Sequence, residues 1–263
     1  MQIITSKDNE FIKNIKKLKE KKYRDEKKEF IVEGIKLIQE AIEENAKIKT
    51  IVVCEENLKD EAISPKLLYQ IAKYNCIYVT SKIYETITDV KNPQGMLAVV
   101  EKENTEDIIK YNEDIIFILD DIQDPGNLGT IIRTIDSAGL SQLIVSKDTV
   151  DAYNPKVVRS TMGAIFRVKI IESDDLIKTI KNIKKHRYEV VVTTLDSQKN
   201  IYGIEYKKKI IVIGNEANGI SKNIIGQADL EVKIPMLGKT ESLNAAVATS
   251  IIAYEYVRRK ISN

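Results

Sequence analysis

The chain has 263 residues, 43% hydrophobic and 30% charged, with a formal net charge of +2, enough apolar material to bury one or two cores. A single His186 and two cysteines leave almost no ligands for a zinc site, so a metal-free mechanism is expected. No apolar stretch reaches the roughly 18 residues of a spanning helix, and the lysine-rich start has no apolar signal core, so no membrane association and a cytoplasmic location are expected.

Positions 1–28 hold ten Lys or Arg against five Asp or Glu. Phe11, Ile15 and Leu18 recur at helical spacing while Lys13, Lys16, Lys17 and Lys21 fall mainly away from them, which predicts a helix with an apolar seam and a basic surface. A solvated lysine face and a phosphate-binding face both fit that pattern. The strand-like runs Phe30–Val32, Ile51–Val53, Ile77–Val79 and Met96–Val100 alternate with helical patterns near 34–45 and 64–74, which predicts a small α/β layer domain. Cys54 and Cys76 lie within such runs and read as buried thiols of a reducing compartment.

The polar stretch Glu101–Asp107 reads as a linker, dividing the chain into domains 1–105 and 114–263. Beyond it the runs Ile115–Leu119, Leu143–Val145, Val168–Ile171, Val190–Val192, Ile210–Ile213 and Leu230–Ile234 are separated mostly by helical segments. Strands apolar on both faces indicate a mainly parallel sheet covered by helices. The last segment is helical, with Leu243, Ala246, Val247, Ser250, Ile251, Tyr254, Val257 and Ile261 in one stripe that could complete a core or build an oligomer interface.

Three segments of this half end an apolar run in a turn rich in Gly, Pro or Asn and then present polar side chains: Asp124–Thr134, Ile213–Gly219, and Ile234-Pro-Met236 with Glu241-Ser-Leu-Asn244. In an open α/β sheet ligands collect at the carboxyl ends of strands, so the three are expected to share a pocket. Common nucleotide motifs fail: no strand is followed by G-x-G-x-x-G, and Gly238-Lys239-Thr240 imitates a P-loop but has Lys233 where its first glycine belongs. Taken singly, the glycines and asparagines could serve turn geometry, Ser242 could cap the last helix, and Glu216 could be a first-turn acid.

Together the segments resemble the SpoU, or TrmH-like, branch of the SPOUT RNA 2′-O-ribose methyltransferases. The first is similar to the family's opening motif through Asn127 and Arg133, and the second to its Asn-Glu-x-x-Gly loop through Asn215, Glu216 and Gly219. The third is similar to its Ile-Pro-Met and Ser-Leu-Asn signature at 234–236 and 242–244. The first half resembles, more loosely, the ribosomal-protein-like substrate-binding domain often fused to that enzyme, mainly through Phe30-Ile-Val-Glu-Gly34.

The resemblance implies an α/β fold whose last strands and helix form a deep trefoil knot, an exception to the rule against knotted chains, preceded by a smaller α/β substrate-binding domain. It implies S-adenosyl-L-methionine as cofactor, held by the loops at Gly214, Ile234, Met236, Ser242 and Leu243, with Thr194 nearby. It implies Arg133, Asn127, Glu216, Ser242 and Asn244 as the catalytic set, and a site completed across a homodimer. The reaction is attack of a ribose 2′-hydroxyl on a sulfonium methyl group. A guanidinium is a poor base, so phosphate clamping and hydroxyl orientation suit Arg133 better than proton acceptance, while Glu216 could accept from Arg133 or the substrate. With RNA as substrate, Lys16, Lys17, Lys21, Lys22 and Arg24 become an expected electrostatic footprint. Large-subunit ribosomal RNA is expected by analogy; the alternatives are a tRNA 2′-O-ribose methyltransferase, a base-methylating relative, and a non-catalytic RNA-binding or ribosome-associated protein on the same scaffold.

Overall fold

A computed structural model describes residues 3–59, 63–102 and 109–262. Most of the expected linker, residues 103–108, lies outside them. The chain divides into two compact units, 1–104 with 153–166, and 105–152 with 167–263.

The first unit runs β1 (Ile3–Ile4), α1 (Glu10–Lys17), α2 (Lys21–Lys27), β2 (Glu29–Glu33), α3 (Ile35–Glu43), β3 (Ile48–Cys54), α4 (Pro65–Ile71), β4 (Cys76–Val79), α5 (Ser81–Ile87) and β5 (Met96–Glu101). Its sheet has the order β1-β4-β3-β5-β2, with β5 antiparallel to both neighbours. Asn9 caps α1 by accepting from the Phe11 N–H, and Ile12, Ile15 and Leu18 pack against Val52, Leu97 and Val99 of the sheet. Ile12 therefore takes the place in the apolar seam expected of Phe11, which is only half-buried. Both thiols are free; Cys54 is buried but Cys76 is half-buried. In the β3/β4 register Cys54 pairs with Val79 and Cys76 with Ile51. That three-residue offset places the thiols roughly 10 Å apart along the strands, too far for a disulfide.

The second unit runs β6 (Ile115–Asp120), α6 (Pro125–Ser137), β7 (Gln142–Ser146), β8 (Lys169–Ser173), α8 (Leu176–Lys184), β9 (Glu189–Thr193), β10 (Lys209–Gly214), α9 (Lys222–Ile225), β11 (Leu230–Val232) and α10 (Ala245–Ser262). All pairings in its sheet, of order β11-β9-β10-β6-β7-β8, are parallel. One face buries Ile116, Ile118, Val190, Val192, Ile210 and Val212 with α8 and α9. On the other side α10 packs on α6 and β10, pinned by a 3.0 Å hydroxyl contact between Thr134 and Ser250. No helix among the described residues is long and apolar enough to cross a membrane.

Between β7 and β8, where a crossover helix of the second unit belongs, lies α7 (Pro155–Thr161). It groups with the first unit, packing on β2: Tyr153 meets Phe30 with ring centroids 4.8 Å apart, and Arg159 lies 3.7 Å from Glu33. The stripe expected along the last helix is also rotated. Ala245, Ala246, Thr249, Ile252, Ala253 and Tyr256 are buried, whereas Val247, Tyr254 and Ile261 are 47%, 51% and 79% exposed. Ala245, Ala246, Thr249 and Ala253 let α10 lie close on its own unit, Ile252 and Tyr256 fill the space beside them, and Val247, Tyr254 and Ile261 are turned outward.

Candidate active site

From β6 the chain moves outward through β7 to β8, then returns to build β9 and β10 on the other side. The β6/β10 border is thus a topological switch point, where the loops leaving two adjacent strands diverge and open a crevice. The loop after β6 begins at Asp121, a non-glycine residue at φ 63°, held by its N–H on the Ser146 hydroxyl at 2.9 Å. Asp124 then caps α6 by accepting from the Asn127 N–H at 2.8 Å, with Pro125 in the first turn, where its missing N–H costs nothing.

The loop after β10 is closed by reciprocal backbone bonds between Asn215 and Gly219, of 3.0 and 2.9 Å, while the Asn215 side-chain oxygen accepts from the N–H groups of Ala217 and Asn218. Gly219 sits at φ +67°, which glycine adopts freely. Gly214 has no room for a side chain: a Cβ there would lie 2.3 Å from the Gly219 carbonyl carbon. Glu216 lies in this turn, not in the first turn of a helix, which removes the helix-dipole reading of its acid.

The two loops are tied together. Asn215 Nδ2 donates to the Asp121 carbonyl at 2.7 Å, the Ser221 N–H donates to Asp120 Oδ2 at 2.7 Å, and Asn127 Nδ2 donates to Glu216 Oε1 at 2.7 Å. The third segment joins through Asn244, whose Nδ2 donates to Asn127 Oδ1 at 2.8 Å. Asn244 Oδ1 meanwhile accepts from the N–H groups of Ala246 and Val247, so Asn244, and not Ser242, caps α10. Asn127, Glu216 and Asn244, far apart in sequence, therefore form one hydrogen-bonded chain.

Beside it, past the ends of β9 and β10, lies a cleft of about 330 Å³, a size suited to a small ligand. Thr194, Gly214, Ile234, Met236, Ser242 and Leu243 all line it, as does Glu216. β11 ends at Val232, two residues short of the expected run, so Ile234 leaves the ladder. Among the described residues no hydrogen bond engages the backbone of 234–243. Those N–H and C=O groups are open to a ligand, the Gly214 cradle admits one closely, and Ile234 and Leu243 supply apolar wall. This donor set fits a nucleoside-bearing molecule bound largely through the backbone.

Arg133 stands apart from the trio. It is exposed on α6 with no hydrogen bond or ion pair among the described residues, and six positions place it roughly 9 Å along the helix from Asn127 and on a different side. Glu216 has Asn127, not Arg133, as its partner. Of the expected RNA-contacting cations, Lys17, Lys21 and Lys22 are exposed and Lys16 is half-buried. Arg24 is a correction: it is 2% exposed, and its NH1 donates to the carbonyls of Leu18 and Lys19 at 2.8 and 2.7 Å, joining α1 to α2 instead of facing solvent. Sequence reading left Asp120, Asp121 and Asp124 unassigned. The Asp-Pro pair at 124–125 carried a helix-start signal, whereas nothing local marked the other two.

Residues 114–254 match the SpoU rRNA Methylase family, and residues 9–98 match an MRM3-like substrate binding domain. The chain belongs to the SpoU rRNA methylase family. Among its relatives is the 23S rRNA (guanosine(2553)-2′-O)-methyltransferase RlmP of Bacillus subtilis, 31% identical over 97% of this chain and 98% of that protein. The AdoMet-bound rRNA methyltransferase of Sinorhizobium meliloti is 31% identical, with a TM-score of 0.84 over 99% of this chain and 98% of its own. The SpoU methyltransferase AviRb of Streptomyces viridochromogenes, in complex with AdoMet, is 27% identical, with a TM-score of 0.88 over 97% and 99%. In this SpoU methylase the segments 124–134, 213–219 and 234–244 lie on the loops and the start of α6 described above.

Proposed function

We propose that this SpoU-family protein is an S-adenosyl-L-methionine-dependent RNA 2′-O-ribose methyltransferase acting on large-subunit ribosomal RNA in the cytoplasm. The observation that carries the reading is the convergence of all six expected cofactor residues on one cleft, beside the Asn244–Asn127–Glu216 chain. The full-length relatives from B. subtilis and S. meliloti are named as rRNA methyltransferases, and the S. meliloti and AviRb structures carry AdoMet.

Bound in the cleft, S-adenosylmethionine supplies a sulfonium-activated methyl group. The open backbone of 234–243 grips the nucleoside, Gly214 permits close approach, and the Asn127 bridge fixes Glu216 on the cleft wall. Ser242 adds a polar residue to the cleft lining. Arg133 orients the ribose hydroxyl and clamps an adjacent phosphate, as a permanently charged guanidinium with five donors does well. Because Arg133 points away from the trio of its own chain, the reading includes a homodimer in which Arg133 of one subunit serves the other's cleft. The outward apolar residues Val247 and Tyr254 on α10 suit the dimer contact.

The reading also includes the trefoil knot. In its support, the chain leaves β11 at the sheet edge beside β9, crosses the ends of the central strands, and returns as α10 on β10 and α6. Domain 1–105 is read as the RNA substrate-binding domain and 114–263 as the methyltransferase.

The test is incubation of the protein with methyl-labelled cofactor and, separately, unmodified ribosomal RNA and tRNA, followed by mapping of the product. A label in large-subunit RNA that blocks alkaline cleavage at one linkage is expected. The guanosine named for the B. subtilis relative is the first position to examine. A label in tRNA alone, or on a base, overturns the assignment.

A further inference from the structure

The first unit holds a second concavity, of about 510 Å³, between α1, α2 and the sheet. One helix contributes Phe11, Asn14 and Lys17 to its wall, the other contributes Tyr23 and Lys27, and Thr50 and Val99 of β3 and β5 form its floor. The Lys17 ammonium lies 5.5 Å from the centroid of the Tyr23 ring, and the Lys22 ammonium 5.9 Å. Tyr23 is half-buried, and neither its hydroxyl nor the amide of Asn14 has a hydrogen-bond partner among the described residues.

We propose that this concavity captures one unpaired nucleotide of the RNA substrate, with its base stacked on Tyr23 and its flanking phosphates taken by Lys17, Lys22 and Lys27. The inference rests on the RNA reading above and adds to it a base-stacking residue outside the lysine footprint.

An aromatic ring flanked by mobile cations is what single-strand recognition uses: stacking is available from every base, and the charges track the backbone. An exposed cation–π contact is weaker than a base–aromatic stack, so a base displaces the ammonium from the ring and the lysine moves to a phosphate. Three acids share the rim: Glu29 is paired with Lys49 at 2.7 Å, Glu26 lies 3.8 Å from Lys27 and offsets part of its charge, and Glu10 belongs to the first turn of α1. Lys17 and Lys22, the two cations nearest the ring, have no carboxylate partner among the described residues. Asn14, with two donors and an acceptor, is free to meet a base edge. A perfect duplex cannot enter, because its bases are already stacked.

The experiment compares full-length wild type, Tyr23→Ala and Tyr23→Phe. The probes are a twelve-nucleotide single-stranded oligoribonucleotide and its perfect duplex. Tyr23→Ala is expected to weaken single-strand binding by about fivefold to a hundredfold, the effect of losing one base stack. Tyr23→Phe keeps wild-type affinity, because the ring remains, and duplex affinity and salt slope stay unchanged in both. Photocrosslinking with 4-thiouridine-substituted ribosomal RNA should place a crosslink on Tyr23, a readout that does not depend on the variants' folding. Tyr23→Ala binding the single strand within twofold of wild type, or crosslinks that avoid the concavity, overturns the inference while leaving methylation intact. Wild type that methylates no RNA overturns the functional reading itself.

Discussion

Asn244 donates from its Nδ2 to Asn127 Oδ1 at 2.8 Å, and this bond has a direction that the protein cannot reverse. The Asn244 oxygen is engaged by two N–H groups at the start of α10, so its nitrogen must face Asn127. Asn127 must then accept with its oxygen and donate with its nitrogen, and the Glu216 side-chain oxygen accepts that bond at 2.7 Å. The cap of the last helix thus sets the orientation of an acid on the cleft wall.

Asn244→Asp separates these two roles. Aspartate caps as well as asparagine, so the thermal midpoint should stay within a few degrees of wild type. The new carboxylate cannot donate to Asn127, which must turn its amide and release Glu216. Methyl transfer should fall at least tenfold, about the effect of one charge-assisted hydrogen bond. Wild-type turnover in a stable Asn244→Asp protein would show that the chain of amides has no part in the reaction.

Gly214→Ala tests the cradle. The added methyl meets backbone, not a side chain that could swing away, so the Asn215–Gly219 turn must shift. Cofactor binding measured by calorimetry should weaken at least tenfold. Unaltered affinity would mean that the cofactor does not approach this turn.

Arg133→Ala should retain cofactor affinity, because the residue is not part of its own chain's cleft lining, and on the proposed role of its guanidinium at the substrate it should lose methyl transfer by orders of magnitude. Arg133→Lys should recover little, since an ammonium lacks the planar fork. Single-turnover kinetics with saturating cofactor decide it, and an alanine variant with near-normal rate removes Arg133 from the reaction.

The basic N-terminus divides into surface and scaffold. Neutralising Lys17 and Lys22 together to glutamine should weaken RNA binding and reduce the salt slope by about 0.7–0.9 for each phosphate that is no longer neutralised, without lowering the melting temperature. Arg24→Gln should do the opposite, destabilising the protein by about 1–3 kcal/mol through the two carbonyls it abandons. Melting curves and titrations at two salt concentrations separate the outcomes; an Arg24 variant of wild-type stability would contradict its structural role.

Val247→Asp with Tyr254→Asp places charges on the outward face of α10. Wild type should sediment as a dimer at micromolar concentration and this variant as a monomer that still binds cofactor but does not methylate. A wild-type monomer, or a variant that remains dimeric, excludes this helix face as the contact.

Local patterning was sufficient for the central strands of the second unit, since Ile115–Leu119, Val190–Val192 and Ile210–Ile213 are apolar on both faces and each became a buried parallel strand; it did not mark the two-residue β1, and it overran the end of β11. It also marked the loops, because turns that free backbone groups need Gly, Pro and Asn in any context. Which residues those loops bring together was not local information. Asn127, Glu216 and Asn244 meet only because the strand order places β6 beside β10 and the chain returns as α10 on β10 and α6.

Three features depended on tertiary contact alone. The α7 segment has the position of a crossover helix, yet packs on β2 of the first unit; its apolar residues would look the same against either sheet. Arg24 reads as one more cation in a basic run, and only the approach of the α1–α2 turn supplies the carbonyls that bury it. The last helix has two faces that can pack, and the sequence marked the one that carries Val247, Tyr254 and Ile261. Packing on α6 and β10 selected the face that carries Ala246, Thr249, Ile252, Ala253 and Tyr256, whose small members let the helices approach closely. Periodicity records which residues can leave water; which surface receives them is decided by the rest of the chain.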